Sequence, residues 1–546
     1  MERRSTAAEL LEGRGLFLLF AFALAVSTAV YWPALSGPPI ADDFAYLLNP
    51  WITTPSPENL KELVDPWSQA TSSLKNYAPV RAFVHSFQWW AHPQVSLAYH
   101  LENLVVHALA TTLLAAFLFS VGVRATAALV AGAIFLLHPA NVEAVAWMSQ
   151  IWSPLALSFG LLALLALLRR PALATLSVTL ALLSKPMAVF AAPAAAVLAW
   201  CGAGGGASSS KEGIAPRWGW IAVWFLLTGL FTAAQVAAYG DSGPRPLNAD
   251  WAVVVRSMAS YALRYLVMAY TSYGVAAFQE PPLSLSLGDP FTLAALATLF
   301  VLAVRLAVTL RRRSTEAVGW VWTAAAFAPV SQIFPFLYPV ADRYLYFMLP
   351  GILLASCIAG QDLLERVADP RRRLFLSRGL LALGLAATVF FGVRSTERAR
   401  LWRSEDALMA DAARAYPDGV SSLVLRAQRA AWQGDASTTI TLLRTASQRD
   451  WDYWNFVLTS PAFQEVRGDP RFKALIADLA EGWIEKAERR SRPTQLELLQ
   501  LAQAHEIRGE TEAAVAAIDR GLALGGPLDK ELRSLRADFQ RAGAAR

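Results

Sequence analysis

The chain has 546 residues, 55% of them hydrophobic and only 16% charged, with 19 tryptophans; this composition excludes an ordinary soluble domain and reads as a polytopic membrane protein. The formal net charge is +6, but the basic residues gather in short loops between apolar runs, where they orient spans, so nucleic acid is not an expected partner. Two cysteines, Cys201 and Cys357, are too few for a disulfide framework or a Cys-rich metal site.

The first apolar run, 16–35, follows Glu2-Arg3-Arg4. Its length is that of a full span of about 20 residues rather than of a signal-peptide core, so a retained helix with a cytoplasmic N-terminus is expected. Further runs lie at 103–121, 125–147, 153–168, 172–184, 186–201, 218–238, 290–310, 318–338, 345–360 and 376–393. The fold class is therefore all-α, a membrane helical bundle of about eleven spans, although 172–184 and 186–201 are short for one. The stretch 250–287 is apolar but carries Arg256 and Arg264, which leaves an interfacial or re-entrant placement open.

Counting from a cytoplasmic N-terminus, Arg124, Arg169, Arg170, 211–217, 311–313 and 370–373 all fall on the cytoplasmic side. The Gly/Ser-rich 201–213 reads as a flexible linker there. The opposite face then collects the unusual polar motifs: Asp42 and Asp43, the loop 37–100, "HPANVEA" (138–144), "SKP" (184–186), 239–289 and "PVADRYLYF" (339–347). After Arg394 the spans cease, and 423–446 and 501–525 carry the small and apolar spacing of helix–turn–helix repeats. Two domains are expected, 1–394 in the membrane and 395–546 as a short repeat domain on the side of the polar motifs.

Asp42 and Asp43 follow the first span, where one carboxylate can take a proton from an attacking hydroxyl while a neighbouring acid or metal tunes it; a solvated loop or helix cap is the commoner role for such a pair. His138 and Glu143, five residues apart at a span end, suit a metal or a sugar, or simply a histidine bonded to backbone. His100, Glu102, Asn103 and His107 in "YHLENLVVH" face the bundle interior, with packing and substrate contact both open. Arg343 and Lys185 can bind a phosphate, Arg343 through a planar donor fork and Lys185 as a point charge, or can anchor helices by snorkelling. The aromatic stretch 76–90, "NYAPVRAFVHSFQWW", suits stacking on sugar.

In order along the chain, "ADDFAYLLNP", "NYAPV", "YHLENLVVH", "HPANVEAVAW", "ALLSKPMAV", "ADRYLYF" and "RARLWRSEDAL" resemble the transmembrane-and-tetratricopeptide-repeat O-mannosyltransferases and their bacterial relatives, within the GT-C membrane glycosyltransferases. The resemblance covers essentially the whole chain. It implies transfer of a hexose, mannose first among the candidates, from a polyprenyl-phosphate carrier to a Ser/Thr hydroxyl of a protein or to a glycan, on the periplasmic face of a bacterial inner membrane.

It also implies that Asp42 or Asp43 is the general base of an inverting transfer, that Arg343 and Lys185 hold the lipid phosphate, and that His138, Glu143, Tyr77, Glu102 and Asn103 line a sugar, acceptor or metal pocket. A divalent metal is left open as a cofactor. The chain departs from the family pattern at Ala78 and Asn141, where Arg and a second His are common, and at 150–153, where a basic-acidic stretch is usual. These departures bear on the donor-sugar contacts, and they are what a non-catalytic membrane scaffold recruiting periplasmic partners through its repeats would show.

Overall fold

The computed structural model describes residues 6–202, 217–239, 250–333, 338–449, 451 and 453–544. Most of the expected linker, the basic segment 211–216, residues 240–249 of the expected external loop and residues 334–337 of one expected span lie outside the described residues. The chain is all-helical, 78% helix with no strand among the described residues. Eight helices there are long and apolar enough to cross a membrane: Arg14–Ala34, Ser96–Ser120, Met148–Ala166, Trp218–Tyr239, Trp251–Thr271, Pro290–Arg311, Asp342–Glu365 and Pro370–Leu401.

Some apolar runs are not continuous helices. The run 125–147 divides into Ala125–Leu136 and the short Asn141–Ala146, because Pro139 drives the residue before it out of the helical region. The run 318–338 ends as a helix at Phe327 and turns through Ala328–Val330 about Pro329. Lys185 is extended (φ −157°, ψ 139°) ahead of Pro186, which separates Pro171–Ser184 from Ala191–Cys201.

Residues 250–287 resolve into one helix and a returning segment. Trp251–Thr271 is helical, and the chain then runs back until the Ser284 N–H donates to Ser257 Oγ at 2.9 Å. Arg256 Nε and Nη2 donate to the Ser284 and Leu285 carbonyls at 3.2 and 3.1 Å. The excursion thus begins and ends toward one end of its own helix, whose side chains bond the backbone of the return leg.

The helix Asp342–Glu365 is seated against Glu316–Phe327 through glycine. A Cβ on Gly351 would stand 2.6 Å from the Gly319 carbonyl oxygen, and one on Gly319 would stand 2.4 Å from that of Gly351. Only small residues permit such an approach. Trp322 Nε1 donates to the Phe347 carbonyl at 2.8 Å, and Phe190 stacks on Trp322 with ring centroids 4.3 Å apart. These contacts set the position of residues 342–347.

The described residues form two compact units, one drawn from 6–43, 92–233 and 250–405 and the other from 44–91, 234–239 and 406–544. The second unit groups the segment after the first span with the C-terminal helices, a grouping that a single sequence boundary near 394 does not anticipate. Its cause is specific: Leu496 packs against a cluster of Trp51, Ile52, Leu63, Ala70, Leu74 and Ala82. Gln69 donates to the Gly525 carbonyl at 3.2 Å and accepts from the Gln495 N–H at 3.1 Å.

Within that unit, two helical hairpins, Val420–Trp432 with Ala436–Ser447 and Gln495–Ile507 with Thr511–Leu524, turn through Gly434 (φ 74°) and Gly509 (φ 75°). An acidic residue follows each glycine, Asp435 or Glu510. The left-handed turn conformation is one glycine adopts without penalty. Leu423, Leu443, Phe463, Phe472, Leu475 and Ile518 are among the residues of the shared core.

Candidate functional site

At the end of the first span the chain turns through Trp32–Ala34 and then reaches Ile40. Ala41 then takes a positive φ of 49°, an uncommon conformation for a residue with a Cβ and one held only where the surroundings dictate it. This turn separates two adjacent carboxylates into different environments. Asp43 is buried; its Oδ2 accepts from the Ile40 N–H at 2.9 Å and its Oδ1 from the Ser149 N–H at 2.8 Å. Burial pushes its carboxyl up to about 7, against the lowering effect of those bonds. Asp42 is exposed.

Ser149 is delivered by the 3₁₀ turn Met148–Ile151, and Asn103 fixes that turn from the Ser96–Ser120 helix. Asn103 Nδ2 donates to the carbonyls of Val145, Trp147 and Met148 at 3.0, 2.9 and 3.4 Å. Trp147 Nε1 donates to the Ile40 carbonyl at 3.0 Å, and its ring meets that of Trp402 at 5.4 Å. Asn103 therefore positions the backbone on which Asp43 rests.

Glu143, buried, and Arg343, partly buried, form an ion pair. The Glu143 carboxylate accepts from the Arg343 N–H at 2.8 Å, at the start of the Asp342–Glu365 helix, and from Arg343 Nη1. A carboxylate at a helix N-terminus satisfies an orphan N–H and meets the positive end of the helix dipole. The guanidinium lies over the rings of Trp147 (5.3 Å) and Tyr344 (5.0 Å). Asp42 is within electrostatic reach of Arg343, Tyr344 and Asp43. Trp147 and Tyr344, inside motifs the sequence displays but with no role their residue types alone reveal, complete the cluster.

Lys185 sits in a separate cage. Its Nζ donates to Gln150 Oε1 at 3.1 Å and Ser153 Oγ at 2.6 Å, and it lies over the Trp152 and Phe347 rings at 4.4 and 5.6 Å. Gln150 and Ser153, two positions of the sequence departure, are thus the oxygen partners of a buried ammonium. Gln150 directly follows Ser149, so one turn serves both Asp43 and Lys185.

Two other expected pocket residues of this unit, His138 and Glu102, have partners of their own. His138 uses both ring nitrogens: Nδ1 accepts from the Ala140 N–H at 3.2 Å, which leaves Nε2–H to donate to the Ala269 carbonyl at 3.2 Å. With His138 so bound and Glu143 on Arg343, these two do not fit a metal pair. Among the described residues no group of three His, Cys, Asp or Glu side chains stands ready to hold a metal ion. Glu102 pairs with His92 at 3.3 Å. His100 Nε2 is 3.4 Å from the Gly37 carbonyl, and His107 bridges Tyr346 Oη and the Leu136 carbonyl at 2.9 and 3.1 Å.

Tyr77 belongs to the second unit, where its hydroxyl donates to the Val64 carbonyl at 3.0 Å and its N–H to Gln235 Oε1 at 3.1 Å. Ala78 is buried in that unit, and Asn141 donates to the Phe135 carbonyl at 2.6 Å. Sequence reasoning did not single out Asp342, which accepts from Gln279 Nε2 and from the Ala276 N–H at 3.3 Å and pairs with Arg398 at 3.7 Å. The adjacency of Asp342 to Arg343 in "ADRYLYF" and the place of Arg398 in "RARLWRSEDAL" are the signals for it. Comparison with known proteins finds no matching family model and no significant match among curated proteins.

Proposed function

We propose that the protein is a membrane glycosyltransferase of GT-C type that moves a hexose, mannose first among the candidates, from a polyprenyl-phosphate carrier to a hydroxyl acceptor. The observation that carries the reading is the placement of an exposed carboxylate, Asp42, just past the first span, where its charge is felt at the Arg343 guanidinium. In this reading Asp42 takes the proton of the acceptor hydroxyl and the freed oxygen attacks the anomeric carbon. The bond from that carbon to the lipid phosphate breaks with inversion, and the phosphate departs as an anion beside Arg343. The chemistry needs a base and preorganised positive charge more than a strong acid.

Asp43 serves as a positioning residue, since both of its oxygens are committed to backbone N–H groups. Glu143 engages Nη1 of a guanidinium with five donors, and so orients the fork that meets the phosphate. Lys185, already held by Gln150 and Ser153, braces the turn that supports Asp43, and the phosphate role rests on Arg343. The two glycine-turn hairpins support a degenerate tetratricopeptide reading of the tail, whose groove would present a protein acceptor. The basic segments support a bacterial inner-membrane protein with a cytoplasmic N-terminus and periplasmic repeats.

The caging of Lys185 also favours a second reading, a non-catalytic scaffold that recruits periplasmic partners through its tail. Purified protein in proteoliposomes, given labelled polyprenyl-phosphate mannose and periplasmic acceptor extract, separates the two. Label reaching acceptor supports the transferase; no transfer from mannose or other lipid-linked hexoses, with partners still captured by the full chain, supports the scaffold.

A further inference from the structure

The helix Pro79–Ala91 is turned inside out. Arg81, His85 and Gln88, at the i, i+4, i+7 spacing of one helix face, are buried, with Arg81 0% exposed. Phe83, Phe87 and Trp90, at the same spacing, point outward, with Phe87 59% and Trp90 71% exposed. The polar row has protein partners: the Arg81 guanidinium lies 4.2 Å from the Tyr46 ring centroid, and His85 Nδ1 is 2.8 Å from Gln88 Oε1. In a water-soluble domain the two rows would be exchanged, because water solvates the guanidinium and expels the rings. An environment that is itself apolar reverses the preference.

We infer that the Phe83, Phe87 and Trp90 face of this helix lies in the interfacial layer of the phospholipid bilayer. Thirteen residues give a rise of only about 20 Å, short of the ~30 Å hydrocarbon core, so the helix lies along the surface rather than crossing. The sequence places it there: residues 92–95 alone separate it from Ser96, the start of a 25-residue candidate span. His92 Nε2, in that link, stands 3.3 Å from Glu102 of the span. Two outward phenylalanines and a tryptophan are the composition of an interfacial anchor. The inference holds whether or not the protein transfers sugar.

The test uses the full chain in phospholipid nanodiscs, with Cys201→Ala and Cys357→Ala as background. Spin labels are placed singly by Phe87→Cys and Trp90→Cys. Phe300→Cys, on an exposed face of the Pro290–Arg311 span, is the lipid reference, and Lys473→Cys, exposed in the C-terminal helices, is the water reference. Collision with oxygen against a water-soluble nickel chelate should place Phe87→Cys and Trp90→Cys at least several-fold above Lys473→Cys in oxygen-to-nickel ratio. A ratio equal to that of Lys473→Cys, or protection from both reagents by a second protein surface, overturns the inference. Hydroxyl-radical footprinting of the unsubstituted protein gives an independent reading: Trp90 should be protected relative to the exposed Trp432, and equal oxidation counts against the inference.

Discussion

Asp42 and Asp43 are neighbours in the chain and opposites in environment: Asp43 is buried on the N–H groups of Ile40 and Ser149, and Asp42 is exposed. Replacing Asp43 by alanine leaves two buried N–H groups without acceptors, each costing about 1–3 kcal/mol. Asp43→Asn, which keeps one carbonyl oxygen, should cost less. Thermal denaturation of the two variants in detergent should therefore rank Asp43→Ala below Asp43→Asn below wild type. Equal melting of all three would mean that the carboxylate does not hold the turn.

The same burial gives a pH dependence. Asp43 is raised from 3.8 to about 7 in the folded protein, so between those values the folded state binds the proton more tightly than the unfolded state. Its contribution to stability is complete below about pH 4 and is lost as pH rises through about 7. Wild type should lose more melting temperature between pH 5 and pH 8 than Asp43→Asn, which does not titrate. A wild-type profile no steeper than that of Asp43→Asn would contradict this.

Breaking the Glu143–Arg343 pair from one side strands a buried charge, at a cost of about 3–5 kcal/mol. Glu143→Gln and Arg343→Met should each lower stability strongly, whereas the double variant should recover much of the loss. A double-mutant cycle in urea or heat measures the coupling; strictly additive losses would show that the two groups act independently.

The returning segment after Thr271 predicts a topology. Because Ser284 meets Ser257 and Arg256 caps the chain at Ser284 and Leu285, the Trp251–Thr271 helix and its return leg leave the membrane side unchanged. Cysteines placed singly at Trp251 and Ser286 should react with an impermeant maleimide from one side, and a cysteine at Arg312 from the other. Labelling of Trp251→Cys and Ser286→Cys from opposite sides would make the helix a full crossing.

The acid pair, the cation of "ADRYLYF" and most apolar runs were legible in the sequence because composition and spacing express them directly. The different environments of the two aspartates were not, since the donor that holds Asp43 comes from Ser149, 106 residues away. His138 and Glu143 looked like a pair by spacing, but one is tied to backbone and the other to Arg343, contacts that only the packing of separate helices creates. The role of Gln150 and Ser153 was hidden for the same reason: their partner, Lys185, is brought to them by an extended residue ahead of a proline. The division near Arg394 followed the end of the spans, whereas the grouping of 44–91 with the tail depends on Leu496, Gln495 and Gln69, which no local pattern announces.

The central claim is that Asp42 is the base and Asp43 its support, and the rate of sugar transfer from polyprenyl-phosphate mannose by Asp42→Asn and Asp43→Asn, each normalised to folded protein, tests it most directly. The account predicts that Asp42→Asn loses about 10²–10⁴-fold in transfer while retaining the lipid donor, and that folded Asp43→Asn keeps activity within roughly tenfold of wild type, as a positioning residue should. Wild-type rates from Asp42→Asn, or abolition of transfer by Asp43→Asn alone, would contradict it.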